Sequence, residues 1–192
     1  MYRQDNCIKS STAIGFCLEE FIVNKLIDRT KNNILNEEIF IERNNTKGTQ
    51  NSSYDFYCKY KNELFLINLK ADKGSNNAIA AINQLYLDYV QNNQNYIKHF
   101  LILKLSYKIK ESKIEINDIY SYFLEEVDFS KGYRSDSRNW SKKYNNNSGR
   151  LQITKKFFNE NKTPIELISC DRTKEQIEKI YKNIIEKIEK NY

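Results

Sequence analysis

Three residues in one short region of this sequence have side chains that could act together. Asp55 lies in a run rich in aromatic residues, and Asn68 and Lys70 lie near the end of the next apolar run. Residues two apart on a strand project from the same face, so Asn68 and Lys70 are expected to share a face. A charged group among Phe, Leu and Ile is costly unless it pairs or binds an ion. The pattern therefore predicts an ion-paired or ion-binding cluster.

A β-hairpin would bring these side chains together. Residues 54–60 and 63–70 are both rich in apolar and aromatic residues, which predicts two strands, and Lys61-Asn62 can turn the chain between them. The turn lies midway between positions 55 and 68. Antiparallel pairing therefore places Asp55 beside Asn68, and Lys70 follows on the same patch.

The other predicted elements form a mixed α and β pattern. Apolar residues at helical spacing follow Ser10-Ser11-Thr12 and predict a first helix over about residues 12–29. The remaining predictions are strands near 39–41, 100–107 and 113–120, and helices from Ala78 and over 172–190. This order indicates an α/β (α+β) fold with a small central β-sheet.

Asp55 followed by Asn68-Leu69-Lys70 resembles the PD-(D/E)xK motif of a nuclease superfamily that includes many type II restriction endonucleases. The resemblance implies a restriction-endonuclease-like core, with a small mixed central β-sheet flanked by helices. It also implies sequence-specific hydrolysis of DNA phosphodiester bonds with Mg²⁺, or with Mn²⁺ as a substitute. In such enzymes the first Asp and a second acid hold the metal, and the Lys positions and activates the attacking water.

Carried over to this chain, the resemblance makes Asp55 a metal ligand and Lys70 a catalytic residue. Asn68 stands where the family has its second acid, so it would complete or orient the metal shell without adding charge. Two other interpretations stay open. Asp55 and Lys70 could form a structural ion pair at a sheet edge, and Asn68 could be an amide that caps a turn.

A carboxylate from the first helix could compensate for Asn68. The segment 14–21 resembles an early helix that presents a glutamate to the metal in many nucleases of this fold. Glu19 lies four residues after Gly15, on the same side of the helix, and nearer the apolar stripe than Glu20 does. Glu19 is therefore the predicted catalytic and metal-binding glutamate. Glu20 and Asp72 are alternatives, and a solvated acidic helix turn is the other interpretation.

A basic segment near residues 130–155 could hold nucleic acid. Between Arg134 and Arg150 it carries five basic residues and one acid. Cations reach phosphates, and Arg, Asn and Gln can bond base edges in the major groove. The predicted DNA-binding residues of this segment are Arg134, Arg138, Lys142, Lys143, Asn146, Arg150 and Gln152. A weaker cluster after the catalytic lysine adds Lys73, Asn76 and Asn77. The segment is predicted to be irregular. The alternative to a DNA-binding role is a solvated surface loop that Trp140 anchors in the core.

Length and composition limit the possible interpretations. The 192 residues predict a single nuclease domain, with a core over about 10–125, the basic segment over about 130–155 and a C-terminal helix over about 171–190. The single histidine excludes a His-based nuclease, and the four scattered cysteines do not match a zinc site. No apolar run is long enough for a membrane helix and no secretory signal is evident, which predicts a cytoplasmic protein without membrane contact.

Lys and Arg number 31 against 25 acids, a net charge of +6 that permits binding to a polyanion. The partner that the resemblance to type II restriction endonucleases implies is double-stranded DNA. A homodimer is expected as well, because a two-fold protein matches a palindromic duplex. Two rival functions stay open: a catalytically inactive DNA-binding module on the same scaffold, and a protein-interaction factor such as an immunity protein.

Overall fold

The structure is a computed structural model, and it describes the chain in nine segments. These are residues 11–32, 34–44, 52–72, 78–91, 96–111, 113–126, 140–145, 148–152 and 170–189. The backbone alone is described for the segments 140–145 and 148–152.

The central sheet has five strands in the order β1-β2-β3-β5-β6. These strands are β1 (Ile39–Arg43), β2 (Phe56–Tyr60), β3 (Glu63–Asp72), β5 (Ile97–Lys110) and β6 (Lys113–Phe123). Strands β3 and β5 are parallel, and the other three pairs are antiparallel. The prediction of a small mixed sheet is confirmed.

Helices cover both faces of this sheet. Helix α1 (Ser11–Lys31) packs on one face, over odd-numbered residues of β3 such as Ile67 and Leu69. On the other face, even-numbered residues such as Leu64 and Leu66 pack with α2 (Ile82–Leu85) and α3 (Cys170–Glu189). Helix α2 continues into a π-helical turn (Tyr86–Gln91), and a short 3-10 turn (Leu124–Glu126) follows β6. The alternation of β3 side chains explains how one strand contributes to two cores.

The predicted hairpin of β2 and β3 is confirmed, with one change. Lys61 turns the chain with φ of 53°, and Phe56 pairs with Ile67. Asp55 was predicted to lie within the strand, but it stands one residue before β2. The Asp55 N–H still donates to the Ile67 carbonyl. The Leu69 N–H, further along β3, donates to the Asp55 side chain and not to a backbone carbonyl of β2. The ladder ends there for that reason.

A second sheet corrects two predictions. It has the order β4-β8-β7, with β4 over Ala78–Ala81, β7 over Trp140–Asn145 and β8 over Ser148–Gln152. The helix predicted from Ala78 therefore begins only at Ile82, and the basic segment, predicted to be irregular, forms a hairpin over β7 and β8. Ala78 pairs with Gln152 and Ala81 with Arg150. This long-range ladder overrides the local helical spacing.

The two long helices lie close to where their periodicity predicts them, at Ser11–Lys31 and Cys170–Glu189. Ile177 and Ile180 of α3 are buried in the core. None of the helices in the described part of the chain has the length and apolar character needed to cross a membrane.

Candidate active site

The candidate site lies along the edge of β3 that pairs with β2. It begins after Ile67, the residue that pairs with Phe56 at the start of β2. No described strand pairs with this edge after Ile67, so the amides of Leu69 and Ala71 need other acceptors. Two carboxylates supply them. Asp55 Oδ2 accepts from Leu69 N–H at 2.7 Å, and Glu19 Oε1 accepts from Ala71 N–H at 2.6 Å. The two carboxylates thus lie at neighbouring points of one strand edge, where backbone bonds fix their orientation.

Lys70 reaches the same edge from the sheet face opposite α1. Its Nζ lies 3.7 Å from Asp55 Oδ2, and the two side chains are 27% and 40% exposed. Both side chains are therefore partly exposed to solvent. The proximity that the hairpin predicted for these two side chains is present in the structure.

Helix α1 approaches the end of β3 closely through a glycine. A Cβ atom built on Gly15 would lie 2.4 Å from the Ala71 carbonyl oxygen, so no larger residue fits without movement. One turn later Glu19 bonds the amide of the same residue. The close approach at Gly15 is therefore what brings the Glu19 carboxylate to the sheet.

Glu20, the alternative glutamate, has a different partner. It accepts two hydrogen bonds from the Arg43 guanidinium, at 3.0 and 2.7 Å, and Arg43 also donates to Asn24. This bidentate pair ties α1 to β1. Of the two adjacent glutamates, Glu19 contacts β3 beside Lys70 and Glu20 does not.

Asn68 supports the segment that carries Asp55. It is buried, and its Nδ2 donates to the Ser53 carbonyl at 2.8 Å. Ser53 is anchored in turn, because its N–H and Oγ–H both donate to Asp88 Oδ2, at 2.8 and 2.7 Å. Asp88 lies on the π-helical turn. Asn68 and Asp88 together therefore fix the chain two residues before Asp55.

Sequence reasoning missed Ser53 and Asp88. The available signal was weak: an acid one residue before Tyr89, within a stripe of apolar residues. The partner of Asp88 is 35 residues away along the chain, and neither helical spacing nor strand alternation relates the two positions.

The two carboxylates at this edge are of the donor type that Mg²⁺ accepts. In the described part of the chain no three His, Cys, Asp or Glu side chains form a metal cluster. Two carboxylates are present. They accept from the amides of Leu69 and Ala71, and amides two residues apart on a strand lie roughly 6.5 Å from each other. Mg²⁺ is typically held by one or two carboxylates with water and substrate phosphates, whereas Ca²⁺ and Zn²⁺ need more protein ligands. Asp55 and Glu19 fit that requirement.

The predicted DNA-binding residues fall partly within the described chain. Lys142 and Lys143 lie on β7, and Arg150 and Gln152 lie on β8. Six others lie outside the described residues: Arg134, Arg138, Asn146, Lys73, Asn76 and Asn77. Strand β8 pairs with β4, which follows β3 after five residues. The β7–β8 hairpin is thereby connected to the end of β3 that carries Lys70.

Comparison with known proteins supports the fold. No protein-family model matches the chain, and no curated protein matches it. Among solved structures, the chain is similar to NlaIV restriction endonuclease, with a TM-score of 0.55 and 13% sequence identity. The match covers 96% of this chain and 76% of that chain. At this identity the similarity establishes the fold, which is restriction-endonuclease-like.

Proposed function

We propose that this protein is a metal-dependent deoxyribonuclease of the type II restriction endonuclease kind. It would hydrolyse phosphodiester bonds of double-stranded DNA at specific sequences. The observation that carries the proposal is the meeting of Asp55, Lys70 and Glu19 at one edge of β3. This meeting occurs in a chain whose fold resembles NlaIV restriction endonuclease.

Asp55 and Glu19 would hold Mg²⁺, with Mn²⁺ as a substitute. Each carboxylate has one oxygen on a backbone amide of β3, which fixes its position before any ion binds. When bound, the ion supplies Lewis-acid polarisation of the phosphate and of an attacking water. The buried amide of Asn68 contributes indirectly, because it holds the segment leading to Asp55.

Lys70 would supply a fixed positive charge where negative charge develops on the phosphate. Its ammonium is held by Asp55 and remains partly exposed, so it can contact both a phosphate oxygen and a water. Lys is well suited to this role, since its compact ammonium has three donors and no acceptor. Removing it would therefore weaken both water positioning and charge stabilisation.

The β7–β8 hairpin would hold the duplex beside this edge. Lys142 and Lys143 would contact phosphates, while Arg150 and Gln152 would contact phosphates or base edges. The same roles are proposed for Arg134, Arg138, Asn146, Lys73, Asn76 and Asn77. Two copies of the chain related by a two-fold axis would match a palindromic site, so a homodimer on DNA is part of the proposal.

Incubation with plasmid DNA tests the proposed activity. With Mg²⁺ we expect discrete fragments, and with excess EDTA we expect none, because the two carboxylates lose the ion that polarises the phosphate. Intact plasmid with retarded migration under both conditions would instead identify a DNA-binding module. The neutral Asn68, at the position of an acid, favours that second candidate. If no salt-sensitive binding to duplex is found, the result would favour a protein-interaction factor.

Glu19 and Glu20 form a matched pair for mutation. Glu19→Gln keeps an oxygen for the Ala71 amide but removes the charge, so we expect cleavage to fall at least about tenfold through weaker metal binding. Glu20→Gln should leave cleavage unchanged, because its partner is Arg43. Initial rates over a Mg²⁺ titration measure both. Equal losses in the two variants would remove Glu19 from the metal site.

A further inference from the structure

A small cavity lies on the sheet face opposite α1, the face that also carries Lys70. Its volume is about 120 Å³. Its floor includes Leu64 and Leu66 of β3, which precede Asn68 and Lys70 on the same face. The remaining lining residues are Tyr54, Tyr57, Lys59, Asp88 and Lys98.

Two lysines in this cavity are held by neutral groups. Lys98 is only 4% exposed, and its Nζ donates to the backbone carbonyl of Asp88 at 3.0 Å. The Lys59 ammonium lies 5.4 Å from the Tyr57 ring centre and 5.6 Å from that of Tyr96. Carbonyl and ring contacts position an ammonium without neutralising its charge. Burial, and then repulsion from Lys174, lower the pKa of Lys98, and the charge of Asp88 opposes this shift only in part.

The acids beside the cavity are already bound by neutral donors. Asp88 Oδ2 accepts from the N–H and Oγ–H of Ser53, and Glu42 accepts from the Tyr57 hydroxyl. Burial and the contact with Glu42 raise the pKa of Tyr57 to about 12, so that ring stays uncharged at neutral pH. The cavity lining itself therefore contains two lysines, Lys59 and Lys98, and one acid, Asp88.

We propose that this cavity is a binding site for an oxyanion of the size and charge of phosphate. An anion beside Lys98 would offset the repulsion from Lys174 and pair with Lys59 at the same time. The volume supports this ligand class. It is several times the roughly 10–15 Å³ that a single water needs, which leaves room for a phosphoryl group. It is well below the roughly 300 Å³ at which pockets for drug-sized ligands begin, which favours a small ligand group.

The phosphate could come from two sources. The first is a backbone phosphate of bound DNA, a case that rests on the proposed nuclease function. Lys70 lies four positions after Leu66 on β3, or roughly 13 Å, which a DNA strand covers in a few nucleotides. The second is a free phosphate or phosphate monoester, which does not depend on that function. The chemistry at the lysines is the same in both.

Titration of inorganic phosphate into the full-length, metal-free protein tests the proposal. Phosphorus NMR at constant ionic strength should show saturable binding to the wild type. Lys98→Met should weaken it at least about tenfold, because a buried ammonium–phosphate contact is lost. Lys59→Met removes the second charge and keeps an apolar side chain against the tyrosine rings. This variant tests the proposal if the Lys98 variant does not fold. The matched control is Lys61→Met, since Lys61 is exposed and pairs with Glu38.

The absence of saturable binding by the wild type, or equal binding by wild type and Lys59→Met, would overturn the proposal. If binding is present, a short duplex identifies the source. Displacement of phosphate by DNA indicates a backbone phosphate, and simultaneous binding indicates a free phosphoester. Asp55→Asn should retain phosphate binding even where cleavage is lost. Failure of the cavity proposal and failure of the nuclease proposal are therefore distinguishable.

Discussion

Replacing Asp55 with asparagine is expected to lower the rate of DNA cleavage by about 10³-fold, which corresponds to roughly 4 kcal/mol of transition-state stabilisation. Asparagine has the same shape and keeps an oxygen that can accept from Leu69 N–H, so the fold should be retained. The lost charge is the one that would bind the metal and that pairs with Lys70 at 3.7 Å. The defect should therefore be chemical and not structural.

Cleavage rates and Mg²⁺ binding, measured on the same preparations, check this expectation. Asp28→Asn is the matched control, because it removes one carboxylate charge at an exposed position of α1. We expect the control to cleave and bind Mg²⁺ as the wild type does. Wild-type cleavage by Asp55→Asn would contradict the site, and loss of both cleavage and thermal stability would assign Asp55 a structural role.

Replacing Gly15 with alanine is expected to destabilise the protein, against the usual effect of this change in a helix. Helix propensity alone would favour alanine by about 1 kcal/mol. However, the new Cβ would lie 2.4 Å from the Ala71 carbonyl oxygen, which belongs to a paired strand and cannot move freely. Overpacking of this kind typically costs about 1–3 kcal/mol. We therefore expect a lower free energy of unfolding, and a displaced Glu19 carboxylate.

Urea denaturation followed by circular dichroism gives the free energy of unfolding directly. Asp28→Ala is a suitable control, since it raises helix propensity at an exposed position of the same helix. It should leave stability unchanged or slightly increase it. If Gly15→Ala proves more stable than the wild type, α1 does not approach β3 as closely as the structure indicates.

The parts of the fold that follow local rules could be predicted from the sequence. The turn at Lys61, the β2–β3 hairpin and the two long helices each depend on neighbouring residues, and all are present. Strand β4 could not be predicted. Ala78 and Ala81 fit the apolar stripe of the following helix, and their strand conformation depends on pairing with β8 about 70 residues later. Local periodicity carries no information about such a partner.

The candidate site shows the same division. The relation between Asp55 and Lys70 follows from hairpin register, and Glu19 follows from its four-residue spacing to Gly15. By contrast, Ser53 and Asp88 meet through hydrogen bonds between a loop and a π-helical turn. The cavity beside Lys98 arises only where β2, β3, β5 and that turn come together. Neither feature leaves a periodic signal in the sequence.

The π-helical turn at Tyr86–Gln91 restricts how this region of the gene can vary. Its consecutive residues Asp88 and Tyr89 form hydrogen bonds with different distant partners. Asp88 accepts from Ser53, and Tyr89 donates to Glu125. A wider turn holds one more residue than an ordinary helical turn. Deleting or inserting a single codon here would rotate one of the two side chains away from its partner. Insertions and deletions in this stretch should therefore be selected against, even where point substitutions on its outer surface are tolerated.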